Sequence, residues 1–246
     1  MISYKMQHED CTFVAISATG IHHQVNHIPN QDAVDYVVLE DDFVLAVSDG
    51  VGSCKKADVG SKAAVSAAKT VFLKLRSRSI SYSLSDIVED ILFEWNKLLK
   101  GIAPNDCCAT LKAAMKIENT LLLFSIGDGV LAVSSDGMQC CSPTENSFFA
   151  NQTLCLNETS KAEDFWTAVF NLDLYVSYVI FACSDGVSNG IQEGREMELV
   201  TEIETETSAA ELQNELENLI IDLSDFTSDD RTVGVVKYER KNAKFD

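Results

Sequence analysis

Residues Phe43 to Ser53 read FVLAVSDGVGS. The apolar and β-branched run that opens this stretch predicts a buried strand, and the Ser-Asp-Gly after it predicts a tight turn. Asp49 therefore stands at the end of a rigid strand, and Gly50 has no Cβ to keep its backbone carbonyl away from an ion. Hard divalent cations prefer carboxylate and carbonyl oxygens, so this turn is a candidate metal site.

A single Asp-Gly turn after a strand is also typical of a plain hairpin corner. The recurrence of the pattern favours a site instead. Apolar runs end in Asp-Gly again in FSIGDGV and VIFACSDGV, and paired acids precede a β-rich run in SDDRTVGVV; these are residues 124–130, 179–187 and 228–236. If these strand ends meet in space, their acids form one cluster. Asp136-Gly137, by contrast, is predicted to be an ordinary hairpin turn.

The bulk composition limits the classes of partner. The 246 residues carry a formal net charge of −19, which would repel nucleic acid and anionic lipid, so we expect neither to bind. Clustered carboxylates attract divalent cations, and a bound cation reverses the local field for a phosphorylated substrate. Three prolines and no low-complexity tract predict a single domain over residues 1–246.

The cysteines and the amino-terminal sequence bear on the compartment. None of the eight cysteines belongs to a C-x-x-C pair, and the opening residues MISYKMQHED show no secretory signal. The longest apolar runs are far shorter than a membrane span. We therefore expect a cytoplasmic monomer with reduced thiols.

The apolar spacing predicts helices in two pairs, at residues 57–76 and 84–99 and at 193–205 and 208–223. Strands are predicted at residues 11–17, 34–39, 43–47, 108–117, 120–126, 130–134, 175–183 and 231–238. The three strands between residues 108 and 134 have short connections and are expected to form one antiparallel meander. Helix pairs grouped between strands favour a layered α+β fold over a doubly wound sheet.

The acids suggest a specific chemistry. If Asp49, Asp185 and Asp229 converge, their carboxylates would suit Mg²⁺ or Mn²⁺, since two such ions require about three or four carboxylates beside their waters. A water between two such ions loses its proton near neutral pH and can attack phosphorus in line. This chemistry needs no nucleophilic side chain, and Cys54 lacks the arginine-closed phosphate loop of a cysteine phosphatase, so we interpret it as a bystander.

Three of the four histidines, His22, His23 and His27, lie in one polar loop. Their spacing is poor for a zinc site, because the two adjacent histidines point apart on an extended backbone and no cysteine lies nearby in sequence. We give a structural zinc site little weight.

The ordered motifs NQDA, VSDGVGS, IGDG, CSDGV and DDRT, which begin at residues 30, 47, 126, 183 and 229, resemble the metal-dependent serine/threonine protein phosphatases of the 2C type. Each motif is weak alone, but the set in this order is specific, and it extends from about Gly20 to Val236. The loop that ends in Pro-Asn-Gln-Asp-Ala looks most like the compact bacterial branch of that family.

The resemblance implies a four-layer αββα sandwich, with two central antiparallel sheets flanked by helix pairs. It also implies two Mn²⁺ or Mg²⁺ ions in a cleft at one end. By position, Asp49 would bridge both ions, the Gly50 carbonyl would bind one, and Asp185 and Asp229 would bind the other. Asp32 would contribute through water. The supporting acids around these ligands would be Asp128 and Asp230.

The chain departs from the family pattern at two positions. Eukaryotic relatives place a phosphate-gripping arginine in the first loop, where the nearest counterpart here is His23, and a histidine after the first Asp-Gly, where this chain has Val51. His22 or His23 could supply a proton or a phosphate contact, and Lys55, Lys56 and Arg231 are other candidates for the phosphate. Glu145 is a loose candidate for the acid that holds a third metal in many relatives.

The sequence therefore predicts a phosphatase that hydrolyses phosphoserine and phosphothreonine in proteins through a two-metal-activated water, opposing a serine/threonine kinase. Two alternatives stay open. One is a hydrolase of a small phosphoester on the same metals. The other is a catalytically inert binding module that retains the fold, which His23 and Val51 mildly favour and the full carboxylate set disfavours.

Overall fold

Two antiparallel sheets form the centre of the fold in the computed structural model, which describes residues 1–77, 82–143, 154–192 and 194–240. The elements in chain order are β1 (Ile2–His8), β2 (Cys11–Ala18), α1 (Ile21–Asn26), β3 (Ala33–Leu39), β4 (Asp42–Ser48), α2 (Ala57–Ser77), α3 (Leu84–Leu98), β5 (Leu111–Ile117), β6 (Thr120–Ile126), β7 (Val130–Ser135), β8 (Met138–Cys141), β9 (Trp166–Asn171), β10 (Ser177–Cys183), α4 (Asp185–Ser188), α5 (Glu196–Thr205), α6 (Leu212–Asp222) and β11 (Arg231–Glu239). The six-stranded sheet has the order β1-β2-β11-β10-β7-β8, and the five-stranded sheet has the order β3-β4-β5-β6-β9.

Strand β4 shows how its sequence determines the layers. Val44 and Ala46 pack into the core beneath α2 and α3, whereas Phe43, Leu45 and Val47 pack into the core between the sheets. Both faces of the strand are therefore buried, which is why it reads as a continuous apolar run rather than an alternating one.

The helices cover the two outer faces. Helices α2 and α3 pack on the five-stranded sheet, and α5 and α6 pack on the six-stranded sheet. Helix α3 begins at a capping box, in which the Asp86 amide donates to Ser83 Oγ at 3.1 Å and the Ser83 amide donates to Asp86 Oδ2 at 3.0 Å. The predicted four-layer αββα class is confirmed.

The predicted meander is wrong at one connection. β5 pairs with β6 as expected, but β6 and β7 lie in different sheets. Gly127 and Gly129 both have positive φ, at +87° and +85°, and these residues turn the chain from one sheet to the other instead of folding it back as a hairpin.

The sequence patterns also missed several short elements. Strands β1 and β9 were not predicted, and the predicted loop around His22 contains helix α1. The predicted helix over residues 193–205 begins at a residue outside the described part of the chain. Glu145, the loose candidate for a third metal, also lies outside it. Within the described part of the chain, no helix is both long and apolar enough to cross a bilayer.

Candidate metal centre

A cleft of about 440 Å³ opens where β4 and β10 end and β11 begins. Its walls come from both sheets and from α1. Predicted site residues make up much of its lining, which includes His22, His23, Asp49, Gly50, Asp128, Asp185 and Asp229. The structure thus brings together acids that are up to 180 positions apart in the sequence.

The backbone of Asp49 is clamped to the neighbouring strand by Thr110. The Asp49 amide donates to Thr110 Oγ1 at 3.0 Å, and the Thr110 amide donates to the Asp49 carbonyl at 2.7 Å. Ser48 Oγ donates to the Thr110 carbonyl at 2.5 Å. Three hydrogen bonds therefore fix the end of β4 and aim the Asp49 carboxylate into the cleft. The sequence analysis missed Thr110.

Gly50 is buried in a position that accepts no side chain. A Cβ there would collide with the backbone carbonyl of Ala57 and would lie 2.9 Å from the carbonyl of Gln31. The Gly50 amide donates to that same Gln31 carbonyl at 3.1 Å. The turn is therefore held by the segment that carries Asp32, so two predicted ligands share one rigid frame.

Asp32, Asp49 and Asp185 form a row of carboxylates with Asp49 in the middle. Asp49 is within side-chain hydrogen-bond reach of both of the others. Burial, and then repulsion from Asp32 and Asp185, raise the pKa of Asp49 well above its ordinary value. Burial also raises the pKa of Asp32 to about 7, although Asp49 and the hydroxyls of Ser184 and Thr232 oppose the shift. Because the three carboxylates lie in a row and do not all meet at one point, there is room among them for more than one ion.

Two oxygens in this row are buried and have no hydrogen-bond partner, Asp32 Oδ2 and Asp185 Oδ1. Buried carboxylate oxygens without a donor are unfavourable because nothing replaces the water they lose. Divalent cations would satisfy them and remove the repulsion that raises the carboxyl pKa values. The residues of this site therefore fit hard divalent cations with oxygen ligands.

Asp229 and Asp128 lie close to Asp185 and line the same cleft. Both contribute to the electrostatic field that, after burial, raises the pKa of Asp185. Asp229 is exposed at the rim and accepts a hydrogen bond from the Asp230 amide at 2.8 Å. Asp128 sits on the turn between the two glycines that carries the chain from β6 to β7.

His23 and Asp230 form a buried pair beside these acids. His23 Nδ1 lies 2.8 Å from Asp230 Oδ2. Asp230 is 1% exposed, and it also accepts hydrogen bonds from the amides of Gly20 and Gln31, both at 2.7 Å. His23 is thus the candidate in α1 that is held rigidly against the cleft, whereas His22 is exposed.

A buried lysine lies behind the Asp128 turn. Lys112 is 1% exposed, and its Nζ donates to Ser125 Oγ at 2.8 Å and to the Gly127 carbonyl at 2.6 Å. Burial lowers the pKa of Lys112 to about 8, against the attraction of Asp128. The sequence analysis missed this residue, although a lysine inside the apolar run LKAAM was a visible signal.

The other residues considered for phosphate binding or as a nucleophile lie away from the carboxylate row. Lys55 pairs with Asp106 at 3.1 Å on the surface, and Arg231 is buried. Neither they nor Lys56 are among the described residues that line the cleft. Cys54 Sγ lies 3.4 Å from the Asn105 carbonyl, outside that lining. The described residues include every cysteine, and each is a free thiol.

Comparisons with known proteins agree with this geometry. The family model described as protein phosphatase 2C matches residues 19–220. A search of curated proteins gave no match.

Several solved structures share the fold. RsbX in complex with magnesium aligns with a TM-score of 0.68 at 13% identity, over 97% of this chain and 100% of that one. The serine/threonine phosphatase Stp1 from Staphylococcus aureus aligns at 0.63 and 17% identity, over 96% of both chains. The catalytic domain of the serine/threonine phosphatase PstP, in complex with two manganese ions, aligns at 0.62 and 17% identity, over 93% of this chain and 98% of that one.

Proposed function

Since the chain belongs to the protein phosphatase 2C family, a family of metal-dependent serine/threonine phosphatases, we propose that it hydrolyses phosphoserine and phosphothreonine in proteins with two Mn²⁺ or Mg²⁺ ions in the cleft. The observation that carries the proposal is the row of Asp32, Asp49 and Asp185, with two buried oxygens that lack partners. Such a row is costly to a protein that binds no cation.

Each ligand has an assigned place in the proposal. Asp49, in the middle of the row, would bridge both ions, and the Gly50 carbonyl would bind one of them. Asp185 and the exposed Asp229 would bind the other. Asp32 lies behind Asp49, outside the lining of the cleft, and would act through water.

When bound, the ions would lower the pKa of a water molecule and neutralise charge on the phosphoryl oxygens. The chain itself would position the reactants. Thr110 holds Asp49 in place through the backbone, and the turn at Gly127 to Gly129 holds Asp128 near Asp185.

His23 is the proposed proton donor to the leaving alcohol oxygen. Asp230 binds Nδ1 and so fixes the ring orientation, which leaves Nε2 as the nitrogen for the substrate. The same ring can contact the substrate phosphate in place of the family's arginine. Because α1 and β11 are joined by this pair, the ring would not need to reorganise during the reaction.

The test is phosphate release from a phosphothreonine peptide, by protein stripped with a chelator and then given Mn²⁺ or Mg²⁺. The parent chain should turn over only with metal, and Asp49→Asn or Asp185→Asn should reduce turnover at least about a thousandfold while remaining folded by circular dichroism, since the carboxylates act together around the ions. Asp136→Asn is the matched control, because Asp136 is an exposed acid on the β7–β8 turn.

Three results would change the assignment. Full activity of Asp49→Asn would exclude the proposed ligand set. Bound Mn²⁺ without turnover would favour the inert binding module. A strong preference for a small phosphoester over phosphopeptides would favour the metabolite hydrolase.

The proposed setting is the cytoplasm, where a monomer would oppose a serine/threonine kinase. Light scattering on purified protein tests the monomer, and fractionation of cells tests the compartment.

A further inference from the structure

Two hairpin turns lie side by side at the end of the sandwich away from the cleft. Glu9-Asp10 joins β1 to β2 in the six-stranded sheet, and Glu40-Asp41 joins β3 to β4 in the five-stranded sheet. Asp41 precedes the seven-residue strand β4 and Asp49 follows it, so the two acids are about 26 Å apart along the strand. Nothing bound at these turns would touch the proposed catalytic ions.

The turns bring one imidazole and two carboxylates together. The ligand atoms of His8, Glu9 and Asp41 all lie within 4.8 Å of one another. His8 Nε2 is buried and has no hydrogen-bond partner. The His8 ring thus lies beside two carboxylates and has one buried nitrogen with no donor or acceptor, which leaves that nitrogen available to a ligand.

A second buried polar group points to the same place. Tyr178 is 2% exposed, its hydroxyl has no hydrogen-bond partner beyond a weak contact with the neighbouring Cys11 thiol, and it lines one cleft of about 200 Å³ together with His8, Glu9 and Asp41. The cleft is therefore large enough for an ion with water. Its unsatisfied groups are a ring nitrogen and a hydroxyl, which an ion and its water would satisfy.

The charges around the cleft are predominantly negative. The side chain of Asp41, through a hydrogen bond and repulsion, raises the pKa of Glu9. Lys116 Nζ donates to the backbone carbonyl of Asp41 at 2.8 Å, so this interaction is with the backbone rather than the carboxylate. Arg240 also lines the cleft, where Tyr238 is its hydrogen-bond partner at 3.5 Å. A divalent cation would relieve the repulsion between the two acids.

We propose that His8, Glu9 and Asp41 bind one divalent transition-metal ion, such as Mn²⁺, that ties the β1–β2 hairpin of one sheet to the β3–β4 hairpin of the other. One imidazole with two carboxylates is a donor set that Mn²⁺ and Zn²⁺ both accept. Ligand atoms around an ion with bonds of about 2.1 Å lie roughly 3 to 3.5 Å apart, so the two turns would close by about 1 Å. This inference does not depend on the proposed function.

The test counts bound Mn²⁺ by measuring the remaining free ion with electron paramagnetic resonance. Mn²⁺ is the probe because it binds the eight thiols poorly. The background is Asp49→Asn with Asp185→Asn, which removes the proposed catalytic ions. This chain should retain one Mn²⁺ that raises its Tm, and adding His8→Ala should abolish both the binding and the Tm shift. His27→Asn is the matched control, because His27 is an exposed histidine at positive φ and asparagine tolerates that backbone.

Asp41→Asn gives a second variant that preserves side-chain size. In the chain that keeps Asp49 and Asp185, His8→Ala and Asp41→Asn should each lower the Mn²⁺ count by one per chain. Equal counts in these variants and their parents would overturn the site. Loss of the ion in His27→Asn would overturn it as well.

Discussion

His23 Nδ1 lies 2.8 Å from Asp230 Oδ2, and both side chains are buried. The pair joins α1 to the residue that immediately precedes β11. Asp230 also accepts hydrogen bonds from the amides of Gly20 and Gln31. One carboxylate therefore fixes both ends of the segment that carries His23 and ends just before Asp32. Charge-assisted hydrogen bonds of this kind are about twice as strong as neutral ones.

Replacing His23 by alanine should lower kcat roughly a hundredfold, which is the lower end of the range for a lost general acid. The Mn²⁺ concentration for half-maximal activity should stay unchanged, because the proposal assigns no ion to His23. Asp230→Asn should lower kcat and also distort its pH profile, since the ring loses its anionic partner. Steady-state kinetics against pH measure both. Unchanged kcat and KM in His23→Ala would remove the residue from the site, and a larger effect of His22→Ala would move the role there.

Gly50→Ala should weaken metal binding, because the added methyl group collides with the Ala57 and Gln31 carbonyls. Gly52→Ala is the matched control, since its Cβ would meet only Gln31 Oε1 at 3.6 Å. We expect Mn²⁺ affinity measured by calorimetry to fall at least about tenfold for Gly50→Ala, comparable to losing a supporting group at a metal site. Equal affinities for the two variants would contradict the close packing at Gly50.

Lys112→Met should weaken catalysis as well as stability. The substitution removes a hydrogen bond to the Gly127 carbonyl in the Asp128 turn and one to Ser125 in the strand before it, so kcat should fall while the protein still folds. Lys237→Met is the comparison, because Lys237 is also buried and donates to the carbonyls of Ile203 and Glu204, away from the cleft. Its loss should cost about 1 to 3 kcal/mol of unfolding free energy with little change in kcat. Equal kcat for both variants would assign Lys112 a purely structural role.

The metal-free protein should become less stable as the pH rises from about 4 to 7. The folded pKa of Asp32 is about 7, above its ordinary value, so in this window the folded chain holds a proton that the unfolded chain has released. Stability falls with pH wherever the folded state binds more protons. The loss can reach about 4 kcal/mol at 1.36 kcal/mol for each pKa unit.

Urea unfolding of chelated protein at pH 5 and pH 7.5 measures this loss. Asp32→Asn should reduce the dependence, and Mn²⁺ should restore stability at pH 7.5. A metal-free protein that is more stable at pH 7.5 than at pH 5 would contradict the raised pKa.

The sequence predicted every strand that has a neighbour on each side, together with the edge strand β3, and it missed the edge strands β1, β8 and β9. β4 and β10 are buried on both faces and therefore read as apolar runs. β1 and β9 each pair with one strand only and mix exposed with half-buried residues. Neither sequence therefore shows a clear alternation of apolar and polar residues. The change of sheet at Gly127 to Gly129 was also missed, because a short connection usually marks a hairpin.

The predicted site residues came from a repeated local signal, an acid and a glycine after a buried run. The structure brings Asp49, Asp185 and Asp229 to one cleft with Asp128, although their roles toward metal remain proposals. Thr110 and Lys112 carry no such signal. The groups that the Thr110 and Lys112 side chains contact depend on how β5 is aligned with the strands beside it. The sequence alone does not determine that alignment.

Strand β11 lies between β2 and β10 in the six-stranded sheet, and the two acids before it complete the cleft. During synthesis on the ribosome, the chain therefore emerges with the middle of one sheet open until residue 239 has been made. Asp32, Asp49, Asp128 and Asp185 would all be present on the nascent chain, yet the partner that anchors His23 would be missing. A phosphatase assembled in this order cannot complete its cleft before β11 has been synthesised.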